Sequence, residues 1–183
     1  MNSFTLTHME NKAKKSDLPN GLTKEDAVKN LAQKYIERAY KNLELMKIIS
    51  ELSTNKEAQK SLNLSETYSN DEWIIITSYY AMYTASLALL AKIGYKSDVH
   101  TSTIWAIEKF FVEKKIIGPE YLAFLNNAKD QVSKHDLDAL SQGKENRETA
   151  QYNVTNNITH LIAEASMKNA YAFVNKARSI IES

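Results

Sequence analysis

The stretch that most constrains this chain runs from Trp73 to Ala91, nineteen consecutive residues without a formal charge. As a helix it would be about 28 Å long at ~1.5 Å per residue, close to the thickness of a bilayer core. Two readings compete. A membrane span needs a nearly unbroken apolar surface, whereas this run carries Thr77, Ser78, Tyr79, Tyr80, Tyr83, Thr84 and Ser86. A helix that is apolar on most sides fits better as the enclosed central member of a soluble bundle. Asp71 and Glu72 precede the run, where a helix dipole favours negative charge. Gly94 follows it as a C-terminal cap. Ala81, Ala85 and Ala88 fall on nearly one face, where a neighbouring helix can approach closely.

An enclosed helix needs neighbours, and the remaining sequence supplies them. Four Gly and two Pro in 183 residues is a scarcity that favours long uninterrupted helices. Ala32, Ile36, Ala39, Leu43 and Met46 recur at spacings of three and four, one stripe of a helix over about 24–52. Thr23 with Asp26 reads as its start signal. Residues 53–70 read as a linker with a short helical turn around Lys56–Ser61. Ile104, Ile107, Phe110 and Phe111 mark a helix over about 100–116, ended by Gly118-Pro119. Pro119 suits the first turn of the next helix, whose Leu122, Leu125, Ala128 and Val132 face inward until Ser141-Gln142-Gly143 interrupts it.

The last segment, 145–182, would exceed about 50 Å as one helix. Asn153, Asn156 and Asn157 therefore predict a break over 153–158. Beyond it Leu161, Ile162, Ala165, Ala172, Phe173 and Ile180 belong to a final helix. Period-2 alternation is absent, so strands are not expected. The expected architecture is all-α, a bundle of four to six helices forming a single domain over 23–183. A flexible tail, 1–22, closes at the turn signal Pro19-Asn20-Gly21.

Composition removes several kinds of chemistry. Cysteine is absent, which excludes disulfides, thiolate metal sites and a cysteine nucleophile. The net charge is +1, which argues against nucleic-acid binding driven by counterion displacement, though it leaves room for a local basic patch. The polar first 22 residues contain no apolar export segment, which points to the cytoplasm and makes the sequons at Asn63, Asn153 and Asn157 coincidental. A Gly-rich phosphate loop, a G-x-S-x-G elbow and an H-E-x-x-H motif are all missing. No two of His8, His100, His135 and His160 are three or four apart, so no helical histidine pair can hold a metal. His135 and Asp138 share a helix face and read as a solvated hydrogen bond. His100 stands at a helix entrance before Thr101, Ser102 and Thr103 and reads as a cap or surface hydrogen bond, or else as part of a cleft. Tyr79, Tyr80 and Tyr83 read as core aromatics with tethered hydroxyls before they read as a stacking platform.

Longer runs carry a resemblance. Ser78-Tyr79-Tyr80-Ala81-Met82-Tyr83, then Ala88-Leu89-Leu90-Ala91, Gly94-Tyr95-Lys96-Ser97 and His100 resemble the HEPN domain, a nucleotide-binding domain of higher eukaryotes and prokaryotes. The likeness is to its small stand-alone prokaryotic members and covers about 24–182. It continues through Ile104 and Phe110-Phe111, and Arg147-Glu148-Thr149-Ala150-Gln151-Tyr152 is similar to the group's R-x-x-A-D-Y run. The closing Ala170 and Ala172-Phe173-Val174 also fit.

The resemblance implies an antiparallel bundle that dimerises with polar clefts near the two-fold axis. It also implies metal-independent ribonuclease or toxin activity, often beside a nucleotidyltransferase partner acting as antitoxin. The family's catalytic motif is an arginine followed after four to six residues by a histidine. Arg147 matches the arginine, but the histidine positions hold Tyr152, Asn153 and Val154. Tyrosine ionises near pH ~10 and is a poor base at neutral pH, whereas histidine is suited to moving protons there.

The expected function is therefore a weakly catalytic or non-catalytic module of a toxin–antitoxin or defence pair. It would bind nucleotide, RNA or a partner protein around Arg147, Tyr80 and Tyr152, as a homodimer and without a cofactor. One alternative is an active ribonuclease in which Tyr152, His100 or His160 replaces the missing histidine. Another is a structural adaptor in which Arg147 pairs with Glu148, Asp138 or Glu145.

Overall fold

The structure, a computed structural model, describes residues 18–65, 68–126 and 152–183, with side chains from 160 onward in the last segment. Its elements are β1 (Leu22–Lys24), a 3-10 segment (Asp26–Leu31), α1 (Ala32–Thr54), α2 (Lys56–Ser61), α3 (Asp71–Lys92), β2 (Tyr95–Ser97), α4 (His100–Ile107), a π-turn (Glu108–Val112) and α5 (Tyr152–Glu182). Residues 120–126 are also helical, with Leu125 buried. The remainder of that helix, with His135, Asp138 and the Ser141-Gln142-Gly143 interruption, lies outside the described residues. The protein is a mostly helical bundle, as the sequence predicts.

The charge-free run becomes α3, enclosed by α1 and α5, with the 3-10 segment and α4 against its far end. Ala81, Ala85 and Ala88 are fully buried, and so are Tyr79, Met82, Leu89 and Leu90. Among the described residues α3 alone is long and apolar enough to cross a membrane, and most of that run is buried inside the fold. Its hydroxyls are satisfied without water. Thr77 Oγ1 donates to the Trp73 carbonyl at 2.7 Å, Thr84 to that of Tyr80 at 2.6 Å and Ser86 to that of Met82 at 2.9 Å. These back-bonds one turn upstream let a polar residue sit in a dry helix face. Ser78 Oγ instead reaches Met46 Sδ of α1 at 2.9 Å.

Cross-helix bonds fix the directions. Met46 meets Ser78 while Asn42 meets Thr84, so α1 and α3 are antiparallel. His160 meets Asp71, and Lys92 meets the Ile181 carbonyl, so α3 and α5 run parallel, offset by 89 residues at both ends. Helices two apart in an up-and-down bundle run the same way, so this parallel pair is compatible with that architecture. Lys92 Nζ donates to the Ile181 oxygen at 2.7 Å, bringing an ammonium to the carbonyl-rich end of α5.

Several local expectations are corrected. Strands occur: Leu22–Lys24 pairs antiparallel with Tyr95–Ser97. Three residues are too few for alternation to register, although Leu22 and Ser97 both turn inward. Leu18 packs on the core and Leu22 is buried, so ordered structure begins before residue 23. The first helix starts at Ala32 after the 3-10 segment, not at 24. The helix predicted over 100–116 becomes α4 followed by a π-turn, in which Glu113 N–H donates to Glu108 O at 2.9 Å. The wider turn lets the adjacent Phe110 and Phe111 both reach the core. The predicted break at 153–158 is absent, and α5 is continuous over 31 residues. Each asparagine weakens a helix by only about 0.7 kcal/mol, too little to outweigh elongation from a packed segment. The short turn at Lys56–Ser61 is present as α2, where the buried Gln59 amide donates to the Leu52 and Ser53 carbonyls and caps α1.

Gly94 ends α3 with φ +79, and a Cβ there would lie 2.7 Å from Asp26 Oδ1 and 3.0 Å from Lys29 Cε. Its carbonyl also accepts the Glu25 N–H at 2.8 Å. Gly94→Ala should cost about 1–3 kcal/mol through left-handed strain and crowding, measured by urea unfolding. Unchanged stability would mean that this turn is not held tightly.

Candidate functional site

Tyr79, Tyr80 and Tyr83 form successive turns of one α3 face, set by the i, i+3 and i, i+4 spacing. Their environments differ sharply. Tyr79 is fully buried, Tyr83 is half-buried and Tyr80 is 42% exposed. Tyr79 and Tyr80 meet edge-on with ring centroids 5.5 Å apart, and Tyr79 and Tyr83 are near parallel at 5.9 Å.

His100, the first residue of α4, completes the cluster. Its ring stacks on Tyr83 with centroids 4.1 Å apart, and its Nδ1 is hydrogen-bonded to the Tyr79 hydroxyl. The ring does not cap α4. Val99 holds the cap position, without a side-chain cap bond. The loop before it is sewn down from below. Asp98 N–H donates to Gly21 O at 2.9 Å, Ser97 Oγ lies 2.8 Å from Thr103 Oγ1, and Ser102 Oγ donates to the Asn20 carbonyl. The chain around Pro19-Asn20-Gly21 therefore supports the loop that carries the imidazole.

Burial pushes the Tyr79 phenol well above its ordinary range, with the neighbouring Tyr83 and Tyr80 hydroxyls adding to the effect. Burial likewise raises Tyr83, and the Thr103 hydroxyl partly offsets this. Both phenols stay protonated at neutral pH and cannot act as bases there. The Tyr79 phenol, which keeps its proton, and His100 Nδ1 share one hydrogen bond that fixes the ring beside Tyr83. The cluster can stack, donate hydrogen bonds and position a ring. Two-thirds of the aromatic trio thus matches the core-aromatic reading, while Tyr80 presents its ring to solvent.

The other predicted residues are distributed differently. Tyr152 is the first residue of α5, and its side chain is outside the described set. Arg147, with Glu145 and Glu148, lies wholly outside the described residues, and so does the expected grouping of Arg147 with Tyr80 and Tyr152. His160 belongs to a separate cluster at the start of α3, bonded to Asp71. Tyr79 lies eight residues further along α3, about 12 Å at ~1.5 Å per residue. His100 and His160 are thus held by different partners. No group of three or more His, Asp or Glu able to hold a metal occurs among the described residues.

Sequence reasoning singled out His100 but missed its partners, Tyr79 and Tyr83. They lie 21 and 17 residues upstream, and only the turn through β2 returns the chain to them. The Asp71–His160 pair spans 89 residues and left no local signal. No protein-family model, curated protein or solved structure matches this chain.

Tyr79→Phe should destabilise the fold by about 1–3 kcal/mol, because it removes the buried hydroxyl that bonds His100 Nδ1. Chemical denaturation gives the energy. Imidazole NMR should show the His100 Nδ1 signal moving on substitution, and an unchanged spectrum would refute the contact.

Proposed function

We propose that this chain is a HEPN-type module that binds a nucleotide or single-stranded RNA by stacking, with weak or no catalysis. The observation that carries this reading is the aromatic face on α3: an exposed Tyr80 beside a buried Tyr79, whose hydroxyl fixes a His100 ring stacked on Tyr83. Unstacked bases are held on such rings, each worth about 1–3 kcal/mol. The rigid helix beneath removes much of the ordering cost on binding. Tyr80 would be the stacking surface, and Arg147 would hold a phosphate.

The sequence resemblance supplies the family and the nucleic-acid class, and the missing motif histidine argues against efficient cleavage. Tyr79 and Tyr83 do not replace that histidine, because both are held protonated. The resemblance also supports a cytoplasmic homodimer working beside a nucleotidyltransferase partner, in a toxin–antitoxin or defence pair. Near-neutral charge makes stacking the main source of affinity and predicts a shallow dependence on salt.

Fluorescence anisotropy with a labelled single-stranded RNA 20-mer, and with ATP as a mononucleotide probe, tests the reading. Tyr80→Ala should weaken RNA binding by at least about fivefold, the lower end of a lost stack. Arg147→Ala should also weaken it, with no cleavage by either protein in a parallel gel assay. Arginine-dependent cleavage would favour the ribonuclease alternative instead, and Tyr152→His should then raise it. Binding absent from the wild type, or unaltered by both substitutions, would leave a structural adaptor.

A further inference from the structure

The parallel pair α3 and α5 is tied by a side chain at each end. Lys92 makes one tie, to the Ile181 carbonyl. His160 makes the other, and an imidazole is the side chain that changes charge between pH 5 and 8. Its Nδ1 lies 3.0 Å from Asp71 Oδ1, and its Nε2 lies 3.5 Å from Glu164 Oε1. Asp71 is held in place for this contact. Its other oxygen accepts the Ser69 hydroxyl at 2.8 Å, and its side chain is only 14% exposed. The charges acting on His160 are the Asp71 carboxylate from α3 and the Glu164 carboxylate from its own helix, both negative.

Position gives this contact its leverage. Along α5, Ile162 and Ala163 are the first described side chains to pack inward, and His160 lies just before them. The eight residues of α5 that precede His160 run past the level of Asp71, the first residue of α3. His160 thus joins the bundle to the turns of α5 that begin at Tyr152.

We propose that His160 is a pH-sensitive latch between α5 and α3. Charged, the imidazole donates from Nδ1 to Asp71 as an ion pair, with Glu164 adding its charge 3.5 Å from Nε2, and this holds the first turns of α5 against the bundle. Neutral, it loses the charge attraction to Asp71 and keeps at most a neutral hydrogen bond, so those turns loosen. The sign follows from linkage. The Asp71 hydrogen bond, then its charge, raise the His160 pKa above the ordinary value. The added stability is therefore complete below the unfolded imidazole's pKa and is lost as pH rises through the folded one. This latch does not depend on the ligand reading above, and its test uses no ligand.

Hydrogen-exchange mass spectrometry of the full chain between pH 5.5 and 8.5, corrected for intrinsic exchange rates, reads the latch in peptides covering 152–165. Protection there should fall roughly three- to fivefold across the imidazole titration, the scale of a largely exposed ion pair. Peptides covering 170–182 should not change. His160→Gln should remove the step, and Asp71→Asn should remove it while moving the His160 NMR titration down toward that of a free imidazole. Flat protection in the wild type would overturn the proposal, as would the same step persisting in His160→Gln.

Discussion

A helix with no charge over five turns persists in water only when other helices cover it, and that requirement organises this molecule. α3 is covered by α1 on one side and α5 on the other, with the 3-10 segment and α4 closing its far end. The small residues Ala81, Ala85 and Ala88 allow close approach, and burial of the larger apolar side chains supplies the main driving force. The cost of enclosing hydroxyls is met inside the helix by back-bonds, and at Ser78 by the Met46 sulfur. The enclosing helices have charges to offer solvent that the central nineteen residues of α3 lack. Solubility therefore resides in α1 and α5, and cohesion resides in α3.

The same helix carries the aromatic cluster, so the candidate site inherits its rigidity from the core. Tyr79 belongs to both. Its ring is part of the packed interior, and its hydroxyl holds the imidazole at the start of α4. The small β1–β2 ribbon and the glycine turn at residue 94 return the chain so that His100 lands beside Tyr83. Remote backbone contacts, from Asn20 and Gly21, thereby set the position of a ring that stacks two elements away.

Much of this was legible in the sequence, because helical periodicity reports burial directly. The stripe Ala32, Ile36, Ala39, Leu43, Met46 is the buried face of α1, and the charge-free run is the central helix. What could not be read depends on distance along the chain. The two strands are too short to alternate, and the π-turn at Phe110-Phe111 differs from an α-turn by a single residue. Low asparagine propensity does not outweigh the cooperativity of a long helix. The site was legible in outline: Tyr80 and His100 were identified, but the contacts that hold the imidazole cross from one element to another. The parallel course of α3 and α5 was equally hidden, because no local pattern records the direction from which a neighbour arrives.

That parallel course has a consequence for the order of events on the ribosome. α3 is synthesised sixty residues before the start of the helix that covers its second side. Until α5 emerges, a greasy flank of the newborn polypeptide has no companion, and α1 can shield only the other flank. Emergence of α5, not the completion of α3, is the moment at which α5 can close over that flank. A cell producing this protein would need to keep the half-made chain from sticking to its neighbours during that interval.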